Sequence, residues 1–404
     1  MRQFLRPGRA WPRRAQPRKA GQARAWPGRI VGLDIARCLA LIGMIATHAL
    51  VAVDEGGVTF VQQLAGGRAS ALFAVLAGVS LALMTGGGTP LPAQERQAVA
   101  SGLLVRALLV GGIGMVIGML ESGIAVILTY YGLLFLLGLP FLRLRARSLA
   151  LLSGGWLVVV PTLSHLVRPF LPDPSYANPQ LAGLADPWQL LTELTLTGYY
   201  PAVAWLTYLL AGMAVGRLDL SVPRTVLTLM VPGALAASAS WFLSSALLAR
   251  PGVMEKLSQT YDGPREGPVA EVLVHGLAGV TPTGSWEWLL VRAPHSGTPF
   301  DLAHTIGSAM IVIALCLLVG RAAPRFTAVL FGAGAMTLTL YTAHVVLRIP
   351  AVWPEDSPES FLRHVTFAVS VGALFRLRGL RGPLETAVSR ASRSAADSVR
   401  RAPV

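Results

Sequence analysis

Long apolar runs recur along the chain without the period-two alternation of half-buried strands. They fall at about 30–53, 64–85, 98–120, 123–141, 148–168, 197–217, 223–248, 302–320, 326–349 and 361–377. Most approach or exceed the ~20 residues a helix needs to cross a hydrocarbon layer. In lipid every backbone polar group must be satisfied within the protein, which leaves helices and closed barrels as spanning structures. Continuous runs of this length fit helices, not the ~10-residue alternating segments of a barrel. The pattern predicts an all-α fold, a polytopic membrane helix bundle of about ten transmembrane helices. It divides the chain into a tail over 1–29, a membrane domain over 30–377 and a second tail over 378–404. Two connections, 169–196 and 249–301, are long and hold Trp188, Trp286 and Trp288. They read either as caps over a cavity or as solvated connections with interfacial aromatics.

Composition agrees with that pattern. Of the 404 residues 53% are hydrophobic and 13% charged, and the mean hydropathy is +0.57. Soluble domains carry about 25% charged residues, so a soluble enzyme, a disordered chain and a disulfide-stapled secreted domain are excluded. The net charge of +14 is spread over tails and short loops, so no nucleic-acid partner is expected. Residues 1–29 hold nine basic residues, four prolines and no acid, the composition of a polar, extended tail. With the N-terminus inside, 24 basic residues fall on the cytoplasmic side, 8 outside and two, Arg37 and Arg106, within spans. That asymmetry predicts a multi-pass cell-membrane protein with both termini cytoplasmic. Cys38 and Cys316 lie in apolar runs and read as packing residues, with neither a disulfide framework nor a metal site. The oligomeric state stays open.

Ionisable residues inside a span are costly and mark function by default. The first span carries Asp34, Arg37 and His48. At about 100° per residue, Arg37 lies roughly 60° from Asp34 and His48 roughly 20° from Arg37, so the three share one face. Eleven residues give ~16 Å of rise between Arg37 and His48. An arginine near the cytoplasmic mouth can hold an electron-rich group of a donor, oriented by an aspartate at i−3. A histidine deeper in can act as a general base or a covalent carrier. The plainer reading is an Asp34–Arg37 pair locking the span and a histidine bonded to a neighbouring helix.

Other candidates are weaker. Asp301 and His304 can share a helix face as an acid–base pair, though Asp301 also suits a helix first turn. His344, with Tyr341 at i−3, can line the same cavity or be satisfied by a neighbour. Arg106 can reach a donor's phosphates or snorkel to the interface. Arg68 reads as an interfacial anchor, and Tyr199, Tyr200 and Trp205 as an aromatic belt.

The wording of the sequence adds a resemblance. Asp34, Arg37 and His48, as Asp-x-x-Arg followed by ten residues and His, resemble the first-span signature of integral-membrane acyltransferases of the acyltransferase-three kind. The segments 29–37, 67–80, 197–205 and 293–304 resemble bacterial proteins with a heparan-α-glucosaminide N-acetyltransferase-like catalytic domain. The resemblance, over about 29–385, implies a transferase taking an acetyl or other acyl group from cytosolic acyl-CoA, a co-substrate, to an acceptor at the outer face. The acceptor implied is a sugar or glycoconjugate; in the lysosomal relative it is a terminal glucosamine amine. That relative's catalytic histidine follows the first span, where residues 53–62 here hold none; His48 matches the acyltransferase-three position. On this reading His48 is catalytic, with His304, Asp301 and His344 as secondary candidates. Arg37, Asp34 and Arg106 bind the donor. The alternative is a transporter or lipid flippase using the same stripe, for which paired broken helices and a repeat would speak.

Overall fold

The computed structural model describes residues 29–352 and 357–401. Apart from Arg29, the basic tail expected over 1–29 lies outside the described residues. Of the described residues 73% are helical. The first half runs α1 (Val31–Ala49), a two-residue hairpin β1 (Val53–Asp54) and β2 (Gly57–Val58), α2 (Phe60–Ala65), α3 (Arg68–Met84), α4 (Ala93–Ile117), α5 (Leu128–Gly138), α6 (Ala146–Val167) and α7 (Pro187–Thr192). The second runs α8 (Ala202–Gly216), α9 (Arg224–Leu248), α10 (Val253–Gln259), α11 (Val269–His275), α12 (Pro299–Ala322), α13 (Pro324–Leu330), α14 (Thr337–Leu347), α15 (Pro358–Leu377) and α16 (Pro383–Arg401).

Among the described residues six helical segments are long and apolar enough to cross a membrane: α1, α2–α3, α4, α6 with its 3-10 extension, α9 and α12. Three shorter apolar helical segments accompany them: Leu128–Arg143, α8 and α14. The run expected as one span over 326–349 is broken. It folds as α13, a 3-10 turn at Gly332–Ala335, and α14. The reason is contact with α1: a Cβ on Gly334 would stand 1.8 Å from the carbonyl oxygen of Asp34. Only glycine lets the broken segment lie that close to the charged face of α1.

The core is built on α1, α3, α8 and α12, with α9 against α12, α6 against α8, and α4 and α5 beside them. The α3–α8 crossing is backbone to backbone, since a Cβ on Gly212 would lie 1.9 Å from the Val75 carbonyl oxygen. Small residues serve this purpose in lipid, where helices associate through close packing. The outward faces of α6 and α9 stay apolar and exposed, with Leu151, Val158, Leu227, Leu235 and Phe242 each more than half accessible. Such a surface suits lipid, not water.

Neither long connection is a bare loop. Residues 249–298 carry α10, α11 and a 3-10 turn around a small core of Leu257, Val269, Trp288, Val291 and Ala293. Trp288 is fully buried and its indole N–H donates to Thr260 Oγ1 at 3.0 Å. The segment 383–401, within the stretch read as a basic tail, is a helix packed along α4. The Glu385 carboxylate ties its start to α14, accepting from the Thr339 N–H at 3.1 Å and the Thr339 hydroxyl at 2.5 Å.

Candidate active site

The charged stripe of α1 is built as its spacing predicts. Asp34 is buried and accepts from Arg29 Nε at 2.5 Å and Arg29 Nη2 at 3.0 Å, and from Arg37 Nη1 at 3.1 Å. The second terminal nitrogen of Arg37 donates to Ser80 Oγ on α3 at 2.8 Å, and Ser80 in turn donates to the Leu76 carbonyl at 2.7 Å. The guanidinium is therefore held between two elements, with one cation in excess over Asp34. Arg37 faces a narrow, largely apolar cavity of about 120 Å³ between α1, α3, α4, α5 and α14. Arg106 lines the same cavity, its guanidinium 5.8 Å from the Phe135 ring centroid. Met44, Ile127 and Tyr341 also line it.

A larger cavity, about 800 Å³, lies next to it under the long connections. Thr47 and His48 of α1, Ala125, Tyr199, Tyr200 and His295 are in its wall. Three residues of α1, about 4.5 Å of rise, separate Met44 of the narrow cavity from Thr47 of the large one. One face of α1 thus runs from an arginine-lined slot to a histidine-lined chamber.

His48 has partners that its own helix does not supply. Its Nδ1 lies 3.2 Å from Nε2 of His344, the rings stacked with centroids 5.4 Å apart. His344 Nδ1 lies 2.9 Å from Nδ1 of His364 on α15. Both inner histidines are buried. Each N···N contact requires one proton, so the three imidazoles form a hydrogen-bonded chain. Since His344 meets its neighbours through different ring nitrogens, the three do not converge on one point as metal ligands would. His48 Nε2 is the ring nitrogen left for the chamber. His364 escaped the sequence reading because its run carries no motif to set that histidine apart from Arg363 beside it. Only the fold brings α15 beside α14 and α1.

The remaining candidates separate from this centre. His304 and Asp301 line a third cavity, between α3, α9 and α12. Arg68 donates to His304 Nε2 from Nε at 3.2 Å and Nη2 at 2.9 Å, and His304 Nδ1 faces the Ala237 carbonyl at 3.0 Å. Both ring nitrogens are engaged, and the proton sits on Nδ1 because Nε2 must accept. Asp301 serves the start of α12: its N–H donates to Thr298 Oγ1 at 3.0 Å and its Oδ2 accepts from the Gly297 N–H at 3.1 Å. Arg68 is thus a partner of His304 rather than a lone anchor. Tyr200 and Trp205, expected in a belt, are buried and pack edge to face at 5.0 Å. Cys38 and Cys316 are buried and free.

A model of the catalytic domain of heparan-alpha-glucosaminide N-acetyltransferase matches residues 29–248, more than half of the chain. The chain belongs to that family. A comparison with curated proteins finds no match. Membership in the heparan-alpha-glucosaminide N-acetyltransferase family implies transferase activity. The matched residues span α1 to α9 and include Asp34, Arg37, His48 and Arg106. His344 and His364, which complete the histidine chain, come from beyond them.

His295 stands in the wall of the large chamber. Its φ of 57° lies in the left-handed region, which costs a non-glycine residue about 1 kcal/mol. Its ring stands edge to face with Tyr200 at 5.6 Å and parallel to Trp205 at 6.5 Å. Burial pushes its imidazole down to about 4, so it is neutral at pH 7. The folded state then binds fewer protons than the unfolded one between about pH 6.5 and 4. The stability it contributes is present above that window and lost as pH falls through it. Thermal unfolding at pH 7 and 4.5 should show a larger drop in wild type than in His295→Gln; equal drops would remove His295 as the cause.

Proposed function

We propose that the protein is a membrane-embedded acetyltransferase that takes an acetyl, or other acyl, group from cytosolic acyl-CoA. It delivers the group to an amine or hydroxyl in the large chamber at the outer face. Acetyl-CoA is the donor named by the family's chemistry, and a sugar or glycoconjugate is the acceptor class. On this reading the chain crosses the cell membrane about ten times with both termini in the cytoplasm, a topology the arginine distribution supports. The observation carrying the reading is the single face of α1 that runs from the Arg37 slot to the His48 chamber.

The donor's phosphates would sit at the cytoplasmic end, within reach of Arg37 and Arg106, charge-assisted partners for such groups. Its extended thioester arm would occupy the slot and present the carbonyl near Met44 and His48. With protons pointing inward, His48 Nδ1–H donates to His344 and His344 Nδ1–H to His364, leaving a lone pair on His48 Nε2. That nitrogen takes the acceptor's proton as the nucleophile adds to the thioester carbonyl. The C–S bond breaks, coenzyme A leaves as thiolate, and the proton returns to sulfur. While it is held, it can be shared inward along the chain. The two N···N contacts in series, 3.2 and 2.9 Å, support that sharing. A histidine-bound acyl intermediate at the same Nε2 is the other route, and a burst of thiol release without acceptor distinguishes it.

The test is thiol release from acetyl-CoA by the purified full chain in proteoliposomes, with amino sugars supplied on the opposite side. Acceptor-dependent release supports the reading. Failure to bind acetyl-CoA at all, in folded protein, would overturn it in favour of the transporter.

A further inference from the structure

The third cavity has a chemistry that catalysis at His48 does not use. It measures about 510 Å³ and is lined by Arg68, Arg292, Asp301 and His304 on one side and by Trp241 and Ser244 of α9 on the other. Two guanidiniums face one carboxylate there. Asp301 already accepts from the Gly297 N–H, and Arg68 is spent partly on His304. Arg292 Nε is buried without a hydrogen-bond partner among the described residues. An orphaned guanidinium nitrogen beside a second arginine is short of an anion. A planar fork of this kind matches phosphate.

The cavity's other wall says where such an anion comes from. Trp241 is 45% exposed and stands edge to face against Phe242, on the apolar outer surface of α9. A ligand in this cavity therefore has its charged part among arginines and apolar helix surface beside it. Gln62, Gly66 and Pro294 line both this cavity and the large chamber, so the two share a wall.

We propose that the Arg68–Arg292 cavity holds the phosphate of a membrane-resident amphiphile, entering beside α9, and that this amphiphile carries the group acylated in the neighbouring chamber. The acceptor role rests on the transferase reading above; the phosphate site does not.

The experiment is titration calorimetry of the full chain in a neutral detergent with dodecyl phosphate, inorganic phosphate and dodecanol. Dodecyl phosphate should bind saturably, and at least ~tenfold more weakly to Arg292→Gln, the loss of one charge-assisted contact. Arg292→Lys, which keeps the charge, should retain more of the binding than Arg292→Gln, and unfolding temperatures establish that both variants are folded. Inorganic phosphate should bind far more weakly, and dodecanol not saturably. Equal binding to wild type and folded Arg292→Gln, or none to wild type, would overturn the site. Inorganic phosphate as tight as dodecyl phosphate would overturn the amphiphile. Acetyl-CoA binding by wild type is measured in parallel, so a failed donor and a failed phosphate site are read separately.

Discussion

Replacing His48 with alanine should lower the acetyl-transfer rate by about 10²–10⁴-fold, the usual contribution of a positioned general base. Acetyl-CoA affinity should stay within about threefold, because donor contacts lie at Arg37, ~16 Å away along α1. His48 is half-buried at the end of its helix, and among the described residues its ring hydrogen-bonds to His344. Its removal therefore costs little packing. His344→Ala should give a smaller loss in kcat, since His48 keeps its place but loses the partner that fixes its Nδ1 proton. His344→Gln, which can still accept at that position, should recover part of the loss. Steady-state rates beside equilibrium donor binding check both variants. A His48→Ala protein with unchanged kcat would move catalysis to another residue of the chamber.

Asp34→Asn should damage folding as well as binding. Asp34 is 3% exposed and its carboxylate accepts from two arginines. The isosteric amide keeps the volume but leaves Arg29 and Arg37 without their anion. Removing one partner of a buried ion pair costs about 3–5 kcal/mol. Both guanidiniums are partly accessible, 30% and 23% by side chain, which points to the lower end, about 3 kcal/mol. The expected result is a clearly lower unfolding temperature and weakened acetyl-CoA binding. Unchanged stability would show that the cluster is solvated and holds nothing in place.

The two ends of this site were legible to different degrees. Asp34 and Arg37 are three residues apart on one helix, so local geometry decides their contact before any tertiary structure forms. The face they share with His48 follows from the same helical period. The partners of that face did not follow. His344 and His364 lie on separate helices, 296 residues from His48 and 20 residues further on, and hydrophobic runs do not say which spans are neighbours. The break at Gly332–Ala335 was missed because its glycines and alanines are as apolar as the helices around them. Close contacts explain them: Gly334 against Asp34 of α1, Gly332 and Ala333 against Gly372 of α15. Asp301 and His304 show the reverse error. Their spacing allowed a pair, but the start of α12 and Arg68 claim their polar atoms first. The long connections were marked by length and tryptophans, yet the small core within 249–298 needed Trp288 to be seen buried.

The most direct measurement is equilibrium binding of labelled acetyl-CoA to the purified full chain, with Arg37→Ala beside wild type. It requires no knowledge of the acceptor. Saturable binding to wild type, weakened at least ~tenfold by Arg37→Ala in folded protein, is the predicted result. Absence of binding to wild type, or binding indifferent to Arg37, would contradict a donor held at that end of α1.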